Sequence, residues 1–357
     1  MSKTSALRAI AAVLLFSTSG CERNQVRPAS HSTQAASPSA LPGPPAFALN
    51  RSEAPNASRE VVFIGACDAS GAVELDENHF VVADDEDNVL RVYDADRGGP
   101  PLFKVDVSQD LSLADPAEAE SDLEAATRLG DLAYFMASHA RTSKGKRDPN
   151  RLLFFATAMP KQGQKVEVIG KPCHSLLDDF VKEPKLARFD LAAAAERGPK
   201  EPGGFNLEGM TAQADGSLLI GFRNPVPEGR ALLVRLLNPR EVLDGAPSRF
   251  SEPLLLDLGG LGVRALSVHR GQQLIVAGPT GDGGPFHLFR FDGAAQATLV
   301  PRLDFRGYGP EGMFTPEGRD EVLLLSDDGT RIIGVKACKK LKDTSQKSFR
   351  GIWVKLP

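Results

Sequence analysis

The stretch from residue 206 to residue 258 decides the fold, and it reads NLEGMTAQADGSLLIGFRNPVPEGRALLVRLLNPREVLDGAPSRFSEPLLLDL. A short polar motif opens it, and four apolar runs follow at 209–214, 217–222, 231–237 and 253–258. The runs are short and are separated by Gly, Pro, Asn and Asp, which is typical of strands joined by turns. Four antiparallel strands in about 50 residues make up one blade of a β-propeller.

The same plan recurs along the chain. Equivalent motifs open four further segments: Cys67-Asp68-Ala69-Ser70-Gly71, Asp122-Leu123-Glu124-Ala125, Val263-Arg264-Ala265-Leu266 and Pro310-Glu311-Gly312-Met313. Successive openings lie 54, 84, 56 and 47 residues apart, measured between Ser70, Glu124, Glu208, Arg264 and Glu311. The repeat predicts an all-β protein, a β-propeller of five four-stranded blades, or of six if residues 172–200 contain a degenerate blade.

The spacing of 84 residues indicates an insertion between the second and third units. From Leu176 to Arg197 the apolar residues follow helical spacing, and good helix formers such as Ala and Leu are frequent. We therefore predict a helical insertion at about 174–198, made of one or two helices.

The chain before the first motif bears on how the ring closes. Residues 60–64 read EVVFI and precede the first motif as 253–258 precede Arg264. They are predicted to be the outermost strand of the last unit, which would leave no exposed sheet edge between the two ends. The other strands of that unit are predicted at 321–325, 332–335 and 351–356, listed in chain order.

The N-terminus has the three parts of a signal peptide. Lys3 and Arg8 are positively charged, residues 9–16 are apolar, and a small-residue stretch ends at Gly20. The next residue is Cys21, and a cysteine directly after such a stretch resembles the bacterial lipobox. The resemblance implies that 1–20 is a lipoprotein signal peptide and that Cys21 is the lipidated residue. The alternative is a secreted protein in which this Cys is incidental.

Three segments follow from this pattern: the signal peptide, a Pro/Ser/Ala-rich tether at 21–58, and a propeller domain at 59–357. The protein is expected to be exported and attached to a bacterial membrane by its lipid, in the periplasm or on the cell surface. Without Cys21 three cysteines remain, so at most one intramolecular disulfide can form. Cys67 and Cys338 are the favoured pair because they lie in blades that become neighbours in the ring.

Charge excludes one class of partner. The chain has 42 Lys and Arg against 46 Asp and Glu, a net charge of -4. This balance removes the electrostatic basis for a dedicated nucleic-acid-binding protein.

Candidate site residues come from topology. In a four-stranded meander, the loop before strand one and the loop between strands two and three lie on the same face. Carboxylates dominate these loops, and they are the metal-ligand candidates: Asp68, Glu124, Glu208, Glu311, Asp85 and Asp327. The ligand-binding candidates on the same face are Arg264, Arg223, His139 and Asn206.

Two explanations of these residues remain open. Convergent carboxylates suit Ca²⁺ or Mg²⁺, and arginines suit phosphate or carboxylate groups. Alternatively, each Glu accepts backbone hydrogen bonds between blades and each Asp caps a turn. The favoured function is a binding module for a small anionic ligand or a protein partner. The second is a metal-assisted hydrolase of a phosphoester or related ester, with Arg264 contacting the substrate anion.

The motifs also carry a family resemblance. In chain order they read Asp-Leu-Glu-Ala, Asn-Leu-Glu-Gly-Met, Gly-Val-Arg-Ala and Gly-Pro-Glu-Gly-Met, with the helical insertion before Asn206. This series resembles the bacterial family called domain of unknown function 3616. The Glu-Gly motifs are also similar to those of the propeller family named for the esterase-like activity of phytase. The resemblance covers about residues 60–356 and implies an exported propeller; it implies no settled activity.

Overall fold

The computed structural model describes residues 59–114, 120–293 and 296–356. The predicted signal peptide, the predicted tether and Cys21 lie outside these residues. Within them, five antiparallel sheets of four strands form the blades of a propeller. The five-blade, all-β prediction is therefore confirmed. No helix in the described ranges is long and apolar enough to cross a bilayer.

The first four blades each use four consecutive strands. Blade one contains β2 (Ala69–Glu74), β3 (His79–Asp84), β4 (Val89–Asp94) and β5 (Phe103–Asp106). Blade two contains β6 (Leu123–Leu129), β7 (Leu132–Ala137), β8 (Phe154–Ala158) and β9 (Val168–Cys173). Blade three contains β10 (Asn206–Ala212), β11 (Leu218–Asn224), β12 (Ala231–Leu236) and β13 (Leu254–Leu256). Blade four contains β14 (Gly262–His269), β15 (Gln272–Gly278), β16 (His287–Phe291) and β17 (Ala297–Leu299).

Blade five is assembled from both ends of the described chain. Its strand order is β18, β19, β22 and β1, where β18 is Pro310–Phe314, β19 is Glu321–Ser326, β22 is Ser348–Lys355 and β1 is Arg59–Ile64. β1 pairs antiparallel with β22, so the prediction that the first strand closes the ring is confirmed. The first strands also contact one another in the order β2, β6, β10, β14 and β18, and β18 contacts β2.

One predicted strand of the last unit is wrong. Residues 332–335 do not join blade five; β20 (Ile332–Ile333) pairs only with β21 (Lys336–Ala337) in a small hairpin. The place in the sheet beside β19 is taken by β22. The physical reason is that β1 already supplies the outermost strand, so blade five needs only three strands from the C-terminal segment.

The predicted insertion is helical. It contains α1 (Leu176–Lys182), a 3₁₀ segment at Pro184–Phe189 and α2 (Leu191–Ala195). A further short helix, α3, spans Pro239–Leu243. Phe180 of α1 is buried and stacks on Phe250 with ring centroids 4.4 Å apart. The insertion thus adds to the core at blades two and three, and it is not a sixth blade.

The remaining 3₁₀ turns lie in connections between strands. They are Ser108–Asp110, Pro149–Arg151, Pro227–Gly229, Cys338–Lys340 and Thr344–Gln346.

An aromatic cluster fills the seam between blades five and one. Phe63 of β1 stacks on Phe349 at 4.9 Å, and Phe80 of β3 stacks on Phe314 at 5.1 Å. Trp353 is fully buried in the same cluster and donates a hydrogen bond to the carbonyl of Ala95 at 3.1 Å. Large aromatic side chains bury much apolar area, so this seam stabilises ring closure.

Candidate functional site at one end of the channel

Every first strand carries a bulge at the same place. In each blade the pairing with the second strand skips one residue, and those residues are Ser70, Glu124, Glu208, Arg264 and Glu311. A bulge leaves its residue out of the ladder and re-aims its side chain. The repeated motif is therefore the sequence signature of this bulge, and in blade one its equivalent residue is Ser70, two positions after Asp68.

The residue after each bulge is small because the first strands approach one another closely. These residues are Gly71, Ala125, Gly209, Ala265 and Gly312. A Cβ on Gly209 would lie 2.6 Å from Cγ1 of Val263, and one on Gly312 would lie 2.8 Å from the carbonyl oxygen of Ala69. Gly in the Glu-Gly motif is thus required by packing between blades.

Three of the five bulged residues, Glu124, Arg264 and Glu311, line a wide opening, which we call the channel-mouth cavity. Its volume is about 830 Å³. Its lining comes from all five blades and from the connections between second and third strands, as the topology predicted. Representative lining residues are Asp85, Glu124, Arg223, Arg264, Glu311 and Asp327.

On one side of the cavity, arginines and glutamates form a buried ion-pair network. Arg223 Nη1 donates to Glu208 Oε1 at 2.7 Å, and Arg264 Nε lies 2.5 Å from Glu208 Oε2. Arg264 also pairs with Glu311 and donates to the carbonyl of Pro279 at 3.0 Å. Each guanidinium thus already contacts a carboxylate, so neither arginine is unpaired.

On the other side lies an acid cluster, made of Asp68, Asp84, Asp85, Asp122 and Glu124. It contains two triads that share Asp85: Asp68 with Asp84, and Asp122 with Glu124. In each triad one oxygen from every carboxylate lies within 4.8 Å of the others. Carboxylates this close repel one another unless protons or a cation intervene.

Two oxygens of this cluster are buried without a hydrogen-bond partner among the described residues, Oδ2 of Asp68 and Oδ1 of Asp85. Asp68 is only 2% exposed. Burial, a hydrogen bond with Asp327 and the Asp327 charge raise the pKa of Asp68 to about 10. Burial and the neighbouring acids likewise raise the pKa of Asp85 and of Glu124.

Two cations border the acid cluster. Arg151 donates to Asp122 at 2.8 Å and lies 2.5 Å from Glu120. Lys339 lies 3.4 Å from Glu86. Burial alone would lower the pKa of Lys339, but the negative charges of Glu86, Asp68 and Asp85 raise it. The acid cluster is therefore only partly compensated by the protein's own cations.

The predicted metal-ligand candidates divide between the two sides. Asp68, Asp85 and Glu124 lie in the triads, and the side chain of Asp327 shares a hydrogen bond with that of Asp68. Glu208 and Glu311 lie instead in the ion-pair network. Their assignment as metal ligands stays a prediction, and their observed partners are arginines.

The predicted ligand-binding candidates also separate. Arg223, Arg264 and Asn206 line the cavity, and Asn206 donates to Glu208 at 2.8 Å. His139 does not line the cavity; it is buried, with Nδ1 2.8 Å from the carbonyl oxygen of Ala137. Burial lowers the pKa of His139 to about 4, so this imidazole is neutral near pH 7.

Three residues of the site were not among the predicted metal or ligand candidates, although the sequence motifs and loops had placed Asp122 and Asp84 on this face. Asp122 directly precedes the bulge motif of blade two, and Asp84 ends β3, so strand boundaries could have indicated both. Arg151 follows from no signal in the sequence. It lies in the long connection between β7 and β8, and only the folded connection places it beside Asp122.

Solved structures similar to this chain cover most of it at low identity. Glutaminyl cyclase from Myxococcus xanthus has 10% identity and a TM-score of 0.41, covering 84% of this chain and 97% of that one. An exo-β-1,3-galactanase from Phanerochaete chrysosporium has 10% identity and a TM-score of 0.45, covering 82% and 63%. A PQQ-bound aldose sugar dehydrogenase from Streptomyces coelicolor has 12% identity and a TM-score of 0.39, covering 84% and 99%.

Likenesses at this level carry no argument about ligand or activity. No curated protein matches the sequence. A family match does exist, and it extends from β8 in blade two to the end of blade four, including the helical insertion and the bulge motifs at Glu208 and Arg264. Residues 157–302 match the family described as protein of unknown function DUF3616, in agreement with the resemblance of the motifs.

Proposed function

We propose that the acid cluster binds a hard divalent cation, Ca²⁺ or Mg²⁺, and that this cation holds a small anionic ligand in the channel-mouth cavity. The observation that carries the proposal is the pair of buried, unpartnered carboxylate oxygens, Oδ2 of Asp68 and Oδ1 of Asp85. Buried polar atoms in folded proteins almost always have a partner. A cation between these oxygens would supply it.

The spacing of the oxygens supports a single ion. Ca²⁺ takes six to eight oxygen ligands at about 2.3–2.6 Å, so two oxygens that share it lie at most about 5 Å apart. The ligand oxygens of each triad lie within 4.8 Å of one another. A cation bound at the shared Asp85 would also offset the repulsion among these closely spaced, buried carboxylates.

The anionic character of the ligand is inferred from the rest of the cavity. Four further basic residues line it: Lys144 and Lys340, which form no ion pair with the described residues, and Lys200 and Arg350, which pair with Asp282 and Asp328. A bound cation with open coordination positions would attract an anion's oxygen, and these side chains would add longer-range attraction. Arg223 and Arg264 are engaged with glutamates, so we assign them to holding the cavity wall.

One observation favours the metal-assisted hydrolase as a second candidate. Burial raises the pKa of Glu311 to about 8, although the Arg264 charge opposes this shift. A carboxyl group that keeps its proton near neutral pH can act as a general acid. In this alternative the acid cluster holds the metal, Arg264 contacts the substrate anion and Glu311 protonates the leaving group of a phosphoester or related ester.

Calorimetric titration of the full chain with Ca²⁺, Mg²⁺ and Mn²⁺ tests the proposal. We expect saturable binding of at least one ion to the wild type, and an affinity lower by at least about tenfold in Asp85→Asn. Asp304→Asn is the matched control, because Asp304 is an aspartate on the surface paired with Arg306. If Asp85→Asn bound the cation as tightly as the wild type or as Asp304→Asn does, a cation site at Asp85 would be contradicted.

Turnover separates the two candidates. A metal-loaded hydrolase releases product from a phosphomonoester or carboxylic ester, and Glu311→Gln lowers that rate. A binding module releases no product from these esters, although it still binds the cation in the calorimetric titration.

We also propose that the chain is exported and anchored through Cys21. The support is the sequence pattern alone, an apolar run too short to span a bilayer followed by small residues and a cysteine. Metabolic labelling with a fatty acid should mark the wild type and not Cys21→Ser. Equal labelling of both chains would contradict the anchor.

A further inference from the structure

The hairpin formed by β20 and β21 ends in exposed apolar side chains. Val335 is 93% exposed and Ile332 is 64% exposed, the two highest values for large apolar side chains in the described ranges. Scattered exposed apolar residues are ordinary, but these two share one small projecting element. We call residues 331–342 the apolar-basic hairpin.

The hairpin is held in place at its base. Cys338 N donates to the carbonyl of Arg331 at 2.8 Å, and the disulfide joins Cys338 to Cys67. Arg331 donates to the carbonyl of Ser348 at 3.0 Å, which attaches the hairpin to β22. At the tip, Gly334 has φ +64°, a conformation that glycine adopts without steric cost in tight hairpin turns. The apolar tip is therefore presented by a fixed scaffold.

The hairpin segment carries three lysines without an ion pair. Lys336, Lys340 and Lys342 are exposed and form no ion pair within the described part of the chain. By contrast, Lys339 pairs with Glu86, and Arg331 Nε lies 3.2 Å from Asp328. Three of the hairpin's positive charges are thus available to an external partner.

We infer that the apolar-basic hairpin docks on a lipid surface that carries anionic headgroups. Apolar side chains enter the boundary between headgroups and acyl chains, and lysines beside them meet the lipid phosphates. The hairpin segment offers both chemistries: Ile332 and Val335 for the boundary, and for the headgroups Lys336 next to the tip, with Lys340 and Lys342 after Cys338. This contact would be independent of any lipid on Cys21 and of the cation proposed above.

Docking would also set the direction of the cavity. Arg331, Lys339 and Lys340 belong to the hairpin segment and line the channel-mouth cavity. A membrane touching the hairpin would therefore lie beside the cavity opening.

Vesicle co-sedimentation tests the inference, with the full chain carrying Cys21→Ser so that no acyl chain contributes. We expect binding to vesicles of phosphatidylcholine containing one-third phosphatidylglycerol, little binding to phosphatidylcholine alone, and loss of binding at high salt. Val335→Asp should weaken binding at least about tenfold. Leu237→Asp is the matched control, because Leu237 is an exposed apolar residue that follows β12, at the opposite end of its blade from the channel mouth.

A second measurement reports the tip directly. The chain's single tryptophan, Trp353, is fully buried and gives a constant background. Val335→Trp should therefore show a blue shift of emission with anionic vesicles, and Leu237→Trp should show none. Replacing Lys336, Lys340 and Lys342 by Gln should lower binding more than replacing Lys104, Lys161 and Lys171, which are exposed elsewhere.

Three results would overturn the inference. They are equal vesicle binding by Val335→Asp and Leu237→Asp, binding that does not require anionic lipid, and an unshifted Val335→Trp spectrum. If Val335→Asp abolished a protein cross-link while vesicle binding persisted, the hairpin would be a protein-binding element, and the lipid inference would be wrong.

Discussion

Glu208 is the residue on which the ion-pair side of the cavity depends. It accepts hydrogen bonds from Asn206 and Arg223 and contacts Arg264, all through one buried carboxylate. Removing one partner of a buried ion pair leaves the other charge uncompensated, which costs more free energy than the intact pair contributes. Glu208 therefore has a structural role in addition to any part in ligand binding.

Glu208→Gln should lower the free energy of unfolding by about 2 to 4 kcal/mol, because Arg223 loses its carboxylate partner and Arg264 keeps only Glu311. Chemical denaturation would measure this loss, with exposed Glu167→Gln as the control. The Ca²⁺-dependent rise in melting temperature should persist in Glu208→Gln, since its carboxylate lies outside the triads. A fully stable variant that loses the Ca²⁺ effect would instead identify Glu208 as a metal ligand.

Two buried acids, Asp68 of the acid cluster and Glu311 of the ion-pair network, should make the protein less stable as pH rises from 7 to 9. The pKa of Asp68 is raised from 3.8 to about 10 and that of Glu311 from 4.5 to about 8. Between its two values, such an acid is protonated when folded and ionised when unfolded, so unfolding releases a proton and higher pH favours it. The buried His139, whose pKa is lowered to about 4, has the opposite effect but has finished titrating above pH 7.

Thermal denaturation without divalent ions would measure this slope, expected at about 1 kcal/mol per pH unit. Asp68→Asn should flatten it, and Asp304→Asn should not. Added Ca²⁺ should stabilise more at pH 8 than at pH 6, because the ligands must lose their protons to bind. A pH-independent Ca²⁺ effect would count against proton displacement from the cluster.

At the scale of the element, the first strand of each blade performs two tasks. The bulge points a polar side chain away from the ladder, and the small residue after it allows neighbouring first strands to approach. The motif residues are therefore a structural unit, and the kind of side chain at the bulge is the variable part. It is Ser in blade one, Glu in blades two, three and five, and Arg in blade four.

Gly209→Ala should destabilise the propeller by about 1 to 3 kcal/mol, because the new Cβ would lie 2.6 Å from Val263 and 2.9 Å from Leu266. Gly281→Ala is a matched control on the cavity rim. Its nearest contact, the carbonyl oxygen of Lys200, would lie at an ordinary 3.5 Å. The two free energies of unfolding, measured in urea, should differ clearly. Equal values would show that neighbouring first strands can move apart to admit the Cβ without a loss in the free energy of unfolding.

At the scale of the whole molecule, two connections close the ring between blades five and one. β1 completes the sheet of blade five, and the disulfide joins Cys67, just before β2, to Cys338. The favoured cysteine pair is thus confirmed, and Cys173 is free. The disulfide spans 271 residues of sequence, so it restricts most of the unfolded chain.

Replacing Cys67 and Cys338 together by Ser should lower the free energy of unfolding by about 2 to 5 kcal/mol. It should also weaken cation binding, because Cys67 adjoins Asp68 and its backbone N–H donates to Asp84 at 3.3 Å. Cys173→Ser is the control and should change neither quantity. A double variant as stable as Cys173→Ser would show that β1 and the aromatic seam close the ring without the disulfide.

Local repetition in the sequence was sufficient to predict the propeller. Strand length, turn residues and the recurring motif are properties of neighbouring residues, and five repeats of a four-stranded unit admit few other arrangements. The same reasoning predicted the closing strand, the helical insertion and the cysteine pair. It failed at 332–335, where an apolar run of strand-like composition forms the tip of a hairpin.

The chemistry of the site was decided only by the tertiary structure. The sequence placed Glu124 and Glu208 in equivalent positions, yet Glu208 faces two arginines while Glu124 faces other acids. That difference depends on Arg223, Arg264 and the long connection after β7, which come together only when the ring is closed. The pKa and the binding capacity of a carboxylate depend on charges and burial within a few ångströms, and residues far apart in the chain supply them.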